Sequence, residues 1–423
     1  MNRRYGETKM NYDLLGLIAL ICIWSLLMIN QVLVVAGYVY YIRSSRQERK
    51  ALKTYPFVSV LVPAHNEALV IEQTVESLLR LNYPSDRMEI IVINDNSSDN
   101  SRALLEGIQK RYPSRALRLI HTDRTTGGKG KSNALNIGFA QSRGEYIAVY
   151  DADNTPETNA LISLIEEIES DESLGAAIGK FRTRNRDVNL LTRFINIETL
   201  SFQWMAQAGR WQLFHLCTIP GTNFVIRRSI LESIGGWDDK AMAEDTELSF
   251  RIYAMGYKIK LVPRSVTWEQ EPQKLKVWFR QRVRWVKGNI YVLVKNFPKL
   301  FQLRQFSVKF DLLYFMSVYF VLLGALIVSD SLFFLNALGL ISLTLANLSG
   351  MLWFSAICLF VITVFITLTT EKGEMRLSNL LITILMYFTY SKLWMAVAAY
   401  GLVQYLIDVI LHRRARWYKT ERF

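Results

Sequence analysis

Only three cysteines occur in 423 residues, Cys22, Cys217 and Cys358, and their number and spacing leave neither a disulfide framework nor a zinc motif. Histidine is as scarce: the four present are scattered and make no metal cluster. No internal repeat or low-complexity linker is apparent. Charge is missing over one long stretch, with no Asp, Glu, Lys or Arg from Leu14 to Ile42. That run exceeds the roughly 20 residues that cross a bilayer. Its length, and the lack of a small-residue cleavage site, argue against a cleaved signal peptide. An apolar fraction of 51% is only slightly high for a soluble protein, so the average conceals a division.

Apolar character returns after Asp311. Hydropathy divides the remainder into spans at Leu312 to Val328, Leu332 to Leu348, Met351 to Thr369 and Tyr390 to Leu411, with Leu380 to Tyr387 lying along the interface. The expected organisation is a tail (1–13), a transmembrane helix (14–42), a cytosolic domain (43–273), amphipathic interface helices (274–310), about four transmembrane helices (311–412) and a basic cytosolic tail (413–423). Basic clusters at Arg43, Arg46, Arg49, Lys50 and Lys53, and at Arg413, Arg414, Arg416 and Lys419, belong on the cytoplasmic side. Between them, the charge-balanced Glu371 to Arg376 reads as an outer loop. A multi-pass protein of the cell (inner or plasma) membrane follows.

The net charge of +13 invites a nucleic-acid reading. Much of the excess flanks the spans, however, where it answers to anionic headgroups of the lipid bilayer, so no nucleic-acid partner is expected.

Chemistry belongs to the central segment. Phe57 to Pro63 is an apolar run ended by proline, and helical periodicity follows from Glu67 to Leu81. Glu89 to Asp95, Leu117 to Ile120 and Tyr146 to Val149 read as further strands, separated by helices from about Asp99 and over Ser132 to Ala140. Alternating strands and helices imply a mostly parallel, covered sheet. Two of its strands end in aspartate, at Asp95 and Asp151.

Asp151-Ala152-Asp153 crowds two carboxylates at a strand's carboxyl end, where open α/β sheets bind ligands. Like charges that close need a cation or donors between them. Equally, Asp153 can cap a helix starting near Pro156. The loop Thr125 to Asn133, with Gly127, Gly128, Lys129, Gly130 and Lys131, suits a phosphate or is simply solvated. It is no P-loop, because Gly128-Lys129 lacks the following Ser/Thr and the upstream glycine. Glu244-Asp245-Thr246-Glu247 is a charged helix start or a general base with its neighbours. Lys274 to Asn289 reads as a basic amphipathic helix, and Gln281, Arg284 and Trp285 share one of its faces. A donor fork beside an aromatic plate suits a diphosphate next to a sugar ring.

The ordered set Asp95, Asp151-x-Asp153, Glu244-Asp245 and Gln281-Arg282-Val283-Arg284-Trp285 resembles the D, DxD, (T)ED, QxxRW signature of processive family-2 glycosyltransferases (GT2), such as poly-N-acetylglucosamine, cellulose and hyaluronan synthases. The likeness runs from about Val58 to Asn289. It implies an α/β GT-A (Rossmann-like) cytosolic domain inserted between transmembrane α-helices, and inverting transfer from a nucleotide sugar to a growing polysaccharide acceptor. By resemblance, Pro63, Asn66, Glu67 and Asp95 bind the nucleotide, and Lys131 the diphosphate. Asp151 and Asp153 hold Mg²⁺ or Mn²⁺. Asp245 is the general base with Glu244 beside it, while Gln281, Arg284 and Trp285 hold the diphosphate and acceptor end. Where relatives commonly have Thr-Glu-Asp, this chain has Ala243-Glu244-Asp245, so the acceptor pocket differs by a hydroxyl.

Two other readings compete. A single-transfer enzyme acting on a polyprenyl-phosphate acceptor is one; a transporter or receptor marked by Lys392 and Asp408 in the spans is the other. Neither calls for the whole constellation. UDP-N-acetylglucosamine (UDP-GlcNAc) is the expected donor, with UDP-glucose (UDP-Glc) an alternative, and an accessory membrane subunit is a further partner. Tyr387, Tyr390, Trp394 and Tyr400 could line a glycan path or anchor helices.

Overall fold

The structure, a computed structural model, describes residues 12–48, 51–298, 305–343, 346–412 and 421–422. Of the two basic clusters, Arg49, Lys50, Arg413, Arg414, Arg416 and Lys419 lie outside the described residues. In chain order the elements begin α1 (Tyr12–Arg46), β1 (Val58–Ala64), α2 (Ile71–Leu79), β2 (Met88–Asn94), α3 (Ser101–Arg111), β3 (Leu117–His121), α4 (Lys131–Gln141) and β4 (Tyr146–Val149). They continue with β5 (Thr155–Pro156), α5 (Ala160–Glu169), β6 (Leu174–Thr183), α6 (Leu190–Ser201), α7 (Arg210–Phe214), β7 (Phe224–Arg227), α8 (Arg228–Ser233), α9 (Glu244–Ala254), β8 (Lys258–Glu269) and α10 (Leu275–Asn296). Last come α11 (Phe306–Met316), α12 (Leu323–Ala337), α13 (Ala346–Thr369), α14 (Leu377–Phe388) and α15 (Tyr390–Ile410).

Among the described residues, eight strands form one sheet in the order β3-β2-β1-β4-β7-β6-β8-β5. The first four run parallel, and β1, β2 and β4 are buried on both faces, which is why β1 and β2 read as near-continuous aliphatic runs. Ile71, Val75, Leu78 and Leu79 make the buried stripe of α2, the periodicity expected of a helix covering a sheet. Beyond β4 the expectation of a mostly parallel sheet needs correcting. β7 pairs antiparallel with both β4 and β6, because the chain returns through a long helical excursion instead of a single crossover. Thr155–Pro156 is likewise a short strand on β8 and not a helix start, so Asp153 is free of the capping role. β1 sits between β2 and β4, so the chain reverses its build direction there, and the crevice opens at the carboxyl ends of these strands.

Among the described residues, four helices are long and apolar enough to cross a membrane: Tyr12–Arg46, Phe306–Ala337, Gly350–Thr369 and Tyr390–Ile410. They flank the α/β domain, with the shorter α14 between the last two. The division between Val328 and Leu332 does not occur. A π-helical stretch, Ser317–Leu322, joins α11 to α12, and the helix continues through Ser329-Asp330-Ser331 because Asp330 pairs with Lys392 of α15 at 2.8 Å. The bundle grips the domain where backbones touch. An added Cβ on Gly37 of α1 would stand 1.8 Å from the Trp204 carbonyl oxygen, and one on Gly209 would stand 2.1 Å from that of Leu33. Small residues permit that approach.

The loop Glu371 to Arg376 is also placed differently from its outer-loop reading. Glu371 lies 2.5 Å from Lys180 and 2.8 Å from Arg182, and Glu374 lies 3.2 Å from Arg182, all on the α/β domain. Its acidic residues are neutralised by β6, so the balance of charge within the loop says nothing of its side.

Candidate active site

Asp95 leaves β2 at the sheet's carboxyl edge. Its Oδ1 accepts hydrogen bonds from the Gly128 amide and the Thr122 hydroxyl, each at 2.8 Å. A Cβ on Gly127 would sit 2.2 Å from that oxygen, so the glycine loop closes on the carboxylate only without a side chain there. Asn66, at φ 55°, turns the chain after β1, and its Oδ1 accepts from the Ser98 and Asp99 amides at 2.6 and 3.2 Å. It braces the loop instead of facing the cavity.

Lys131 opens α4 and is the hub of the site. Its ammonium lies 2.6 Å from Asp151 and 3.5 Å from Glu244, and donates to the Gly221 carbonyl at 2.8 Å. Gly221 takes φ 84° and passes so close that an added Cβ would stand 2.9 Å from Asp245 Oδ2. Burial alone would lower the lysine pKa, but Asp151 and Glu244 outweigh it and hold the group charged. Burial pushes the Asp151 carboxyl up, with Lys131 opposing and Asp153 adding.

Asp245, in the first turn of α9, has its Oδ1 on the Thr246 amide at 2.7 Å. Burial, helped by the Glu244 charge, raises its pKa to about 7. From the other wall, α10 brings Gln281, Arg284 and Trp285. The Arg284 Nε is buried without a hydrogen-bond partner among the described residues. A buried guanidinium N–H with no protein acceptor fits an anionic ligand.

Of the residues expected from sequence, all but Asn66 face one cavity of about 1920 Å³. This exceeds the roughly 300–1,000 Å³ of a small-molecule site. The cavity continues past Trp285 between the helices, reaching Tyr390 and Trp394 but neither Tyr387 nor Tyr400. The two charges that favoured a transporter have partners: Lys392 pairs with Asp330, and Asp408 with Lys287.

Sequence reasoning gave no role to several charged residues of this cavity, among them Glu198, Glu269, Glu271, Arg282 and Arg422. Glu269 and Glu271 repeat the pattern of two acids one apart at a strand's end, so the signal that marked Asp151 could have found them. Burial pushes both carboxyls up; the Glu271 charge adds to the rise at Glu269, whereas Arg282 opposes it at Glu271. Arg422 places its Nη1 2.7 Å from Asp153 and its Nε 3.3 Å from Glu67. Local pattern carries no signal for that contact.

Comparison with known proteins bears on this geometry. Residues 59–235 match the family model "Glycosyl transferase family 2". The chain is 47% identical over 409 residues to "Probable glycosyltransferase YdaM" of Bacillus subtilis (strain 168), covering 96% of this chain and 97% of that one. A poly-beta-1,6-N-acetyl-D-glucosamine synthase of Staphylococcus epidermidis is 32% identical over 240 residues, 57% of this chain and 56% of its own. Among solved structures, the mannosyltransferase PcManGT from Pyrobaculum calidifontis, in complex with GDP-Man and Mn²⁺, superposes with a TM-score of 0.60 at 21% identity, over 89% of this chain and 99% of that chain. That likeness establishes the GT-A fold.

Proposed function

The chain belongs to glycosyl transferase family 2, and from that premise we propose that it is an inverting, processive β-glycosyltransferase that builds an exopolysaccharide from UDP-N-acetylglucosamine on the cytosolic face and passes it across the membrane. The observation that carries this reading is the shared cavity. Lys131, the Asp151-Asp153 pair and Asp245 converge at the strand ends, and the same space runs on between apolar helices. A growing glycan would use that length. The donor assignment draws on the staphylococcal relatives, which are named as poly-N-acetylglucosamine synthases.

Asp95 and Glu67 face the nucleotide in this reading, with Pro63 beside them. Lys131 and Arg284 meet the diphosphate, whose negative charge grows as the bond to the sugar breaks. Asp151 and Asp153, hard oxygen donors side by side, fit a divalent cation such as Mg²⁺ or Mn²⁺, which when bound would offset charge on the leaving diphosphate. Asp245 takes the proton from the acceptor hydroxyl as its oxygen attacks C1 of the donor sugar. The bond from C1 to the diphosphate oxygen breaks on the opposite face, UDP leaves with the electron pair, and the configuration at C1 inverts. A base near neutrality is matched to that task. Trp285 offers the acceptor ring a stacking surface.

UDP release by membranes carrying the protein, offered one nucleotide sugar at a time with Mg²⁺ or Mn²⁺, tests the reading. A high-mass product from one donor, abolished by Asp245→Asn, is expected. A small lipid-soluble product would replace polymerisation by single transfer, and polymer retained wholly on the donor side of sealed vesicles would remove translocation.

A further inference from the structure

Behind Trp285 lies a side chain for which the chemistry above has no task. Arg282 is 1% exposed, and its guanidinium carbon stands 4.0 Å from the centroid of the Trp285 ring. Its Nη1 donates to Gln281 Oε1 at 2.7 Å, and its Nε lies 3.4 Å from Glu198 of α6. Glu198 also accepts the Tyr390 hydroxyl of α15, and that hydroxyl accepts in turn from Trp278 Nε1 at 2.8 Å. Three helices therefore meet on one guanidinium.

Burying such a group for stability alone is a poor bargain, since a buried ion pair is often replaceable by well-packed apolar residues at no loss. What it does supply is orientation. A guanidinium is planar; with Gln281 hydrogen-bonded to its Nη1 and the Glu198 charge 3.4 Å from its Nε, which makes no hydrogen bond among the described residues, its flat face is what Trp285 meets. Arg282 and Trp285 are three residues apart on one helix, so the stack is built into α10, but the carboxylate that sets its angle comes from α6. Trp285 itself is 39% exposed and faces the cavity.

We propose that Arg282 is a positioning residue for the acceptor: held by Glu198, it fixes the plane of Trp285 and the amide of Gln281, so that the terminal sugar of the glycan presents its hydroxyl to Asp245. This rests on the glycosyltransferase reading above. Arg282 touches neither reacting atom, and the donor-side residues Lys131, Asp151 and Asp153 are held by other elements.

Arg282→Lys keeps the charge and removes the planar stack, whereas Glu198→Gln keeps the stack and loosens its anchor. In each variant donor KM should hold within about twofold, polymer formation should fall by on the order of 10²-fold, and products should shorten, since ångström-scale misplacement costs that much in transfer. UDP released per sugar incorporated should rise, as water takes the place of the misplaced acceptor. A purely structural role would lower all rates together and leave that ratio unchanged, which would overturn the proposal, as would additive losses in the double variant. If either variant fails to fold, Tyr390→Phe, which deletes one hydroxyl from the relay, must raise the same ratio; an unchanged ratio there overturns it too. Wild type and Asp245→Asn run alongside. No polymer from wild type with any nucleotide sugar sinks the functional reading, while polymer from wild type with unaltered coupling in the variants sinks only the positioning role.

Discussion

Arg422 Nη1 stands 2.7 Å from Asp153 Oδ2, which puts a guanidinium on the carboxylate pair that the sequence marks for a metal and a diphosphate. Its side chain is only 15% exposed and also reaches Glu67. Guanidinium pairs with phosphate at least as well as with carboxylate, so an incoming donor can draw the same group. Arg422→Ala should raise donor KM by roughly 10- to 100-fold, the equivalent of one hydrogen bond to a charged group at about 1.5–3 kcal/mol. Initial rates of UDP release over a range of donor concentrations measure this, and an unchanged KM would show the contact to be incidental.

The Asp245 pKa of about 7 makes two predictions of opposite sign. As a base it must be ionised, so kcat/KM should fall about tenfold for each pH unit below 7. Its folded pKa is raised above the unfolded carboxylate value, so folding favours the protonated form; the resulting stability is present at low pH and is lost as pH rises from about 4 through 7. Asp245→Asn should therefore abolish activity yet raise Tm at pH 8, with little change at pH 4. A Tm that falls at both pH values would contradict the buried-charge account.

What the sequence discloses here depends on whether the signal is local. Asp95 and Asp151 are legible because each follows an aliphatic run that only a covered strand explains, and Gln281, Arg284 and Trp285 because helical spacing puts them on one face. Partners distant in sequence leave no such trace. Asp330 looks like a break between spans until Lys392 is found beside it, and Glu371 looks solvated until it meets Lys180 and Arg182. Glu198 sits in a helix of ordinary pattern, and its meeting with Arg282 depends on how α6 packs on α10.

Divalent cations should be needed for turnover. Asp151 is already countered by Lys131 at 2.6 Å and Asp153 by Arg422, so the pair is stable without an ion and its removal should not unfold the protein. Chelation is expected to abolish UDP release while leaving Tm within a degree or two, and Mg²⁺ or Mn²⁺ should restore it. Asp153→Asn should lose about 10²-fold or more in rate even at high metal, because a neutral amide is a poorer ligand for a hard cation. A large fall in Tm on chelation would instead assign the ion a structural role.

The latch between the helical bundle and β6 sets the last expectation. Glu371 and Glu374 are each 2% exposed at the side chain, and they share Arg182 between them, with Lys180 and Arg186 outside. Removing one partner of such a cluster strands a buried charge, at about 3–5 kcal/mol. Glu371→Ala should therefore lower Tm by several degrees, whereas Arg80→Ala, which breaks a pair in which the arginine is 70% exposed, should cost no more than about 1 kcal/mol. Activity should fall with the latch as well. Arg182 lies over the Trp268 ring at 5.1 Å, next to Glu269 in the cavity wall, so a loosened β6 moves the site. Thermal unfolding and UDP release on the two variants, side by side, separate a buried device from a surface ornament; equal effects would mean that the loop is not clamped on the domain.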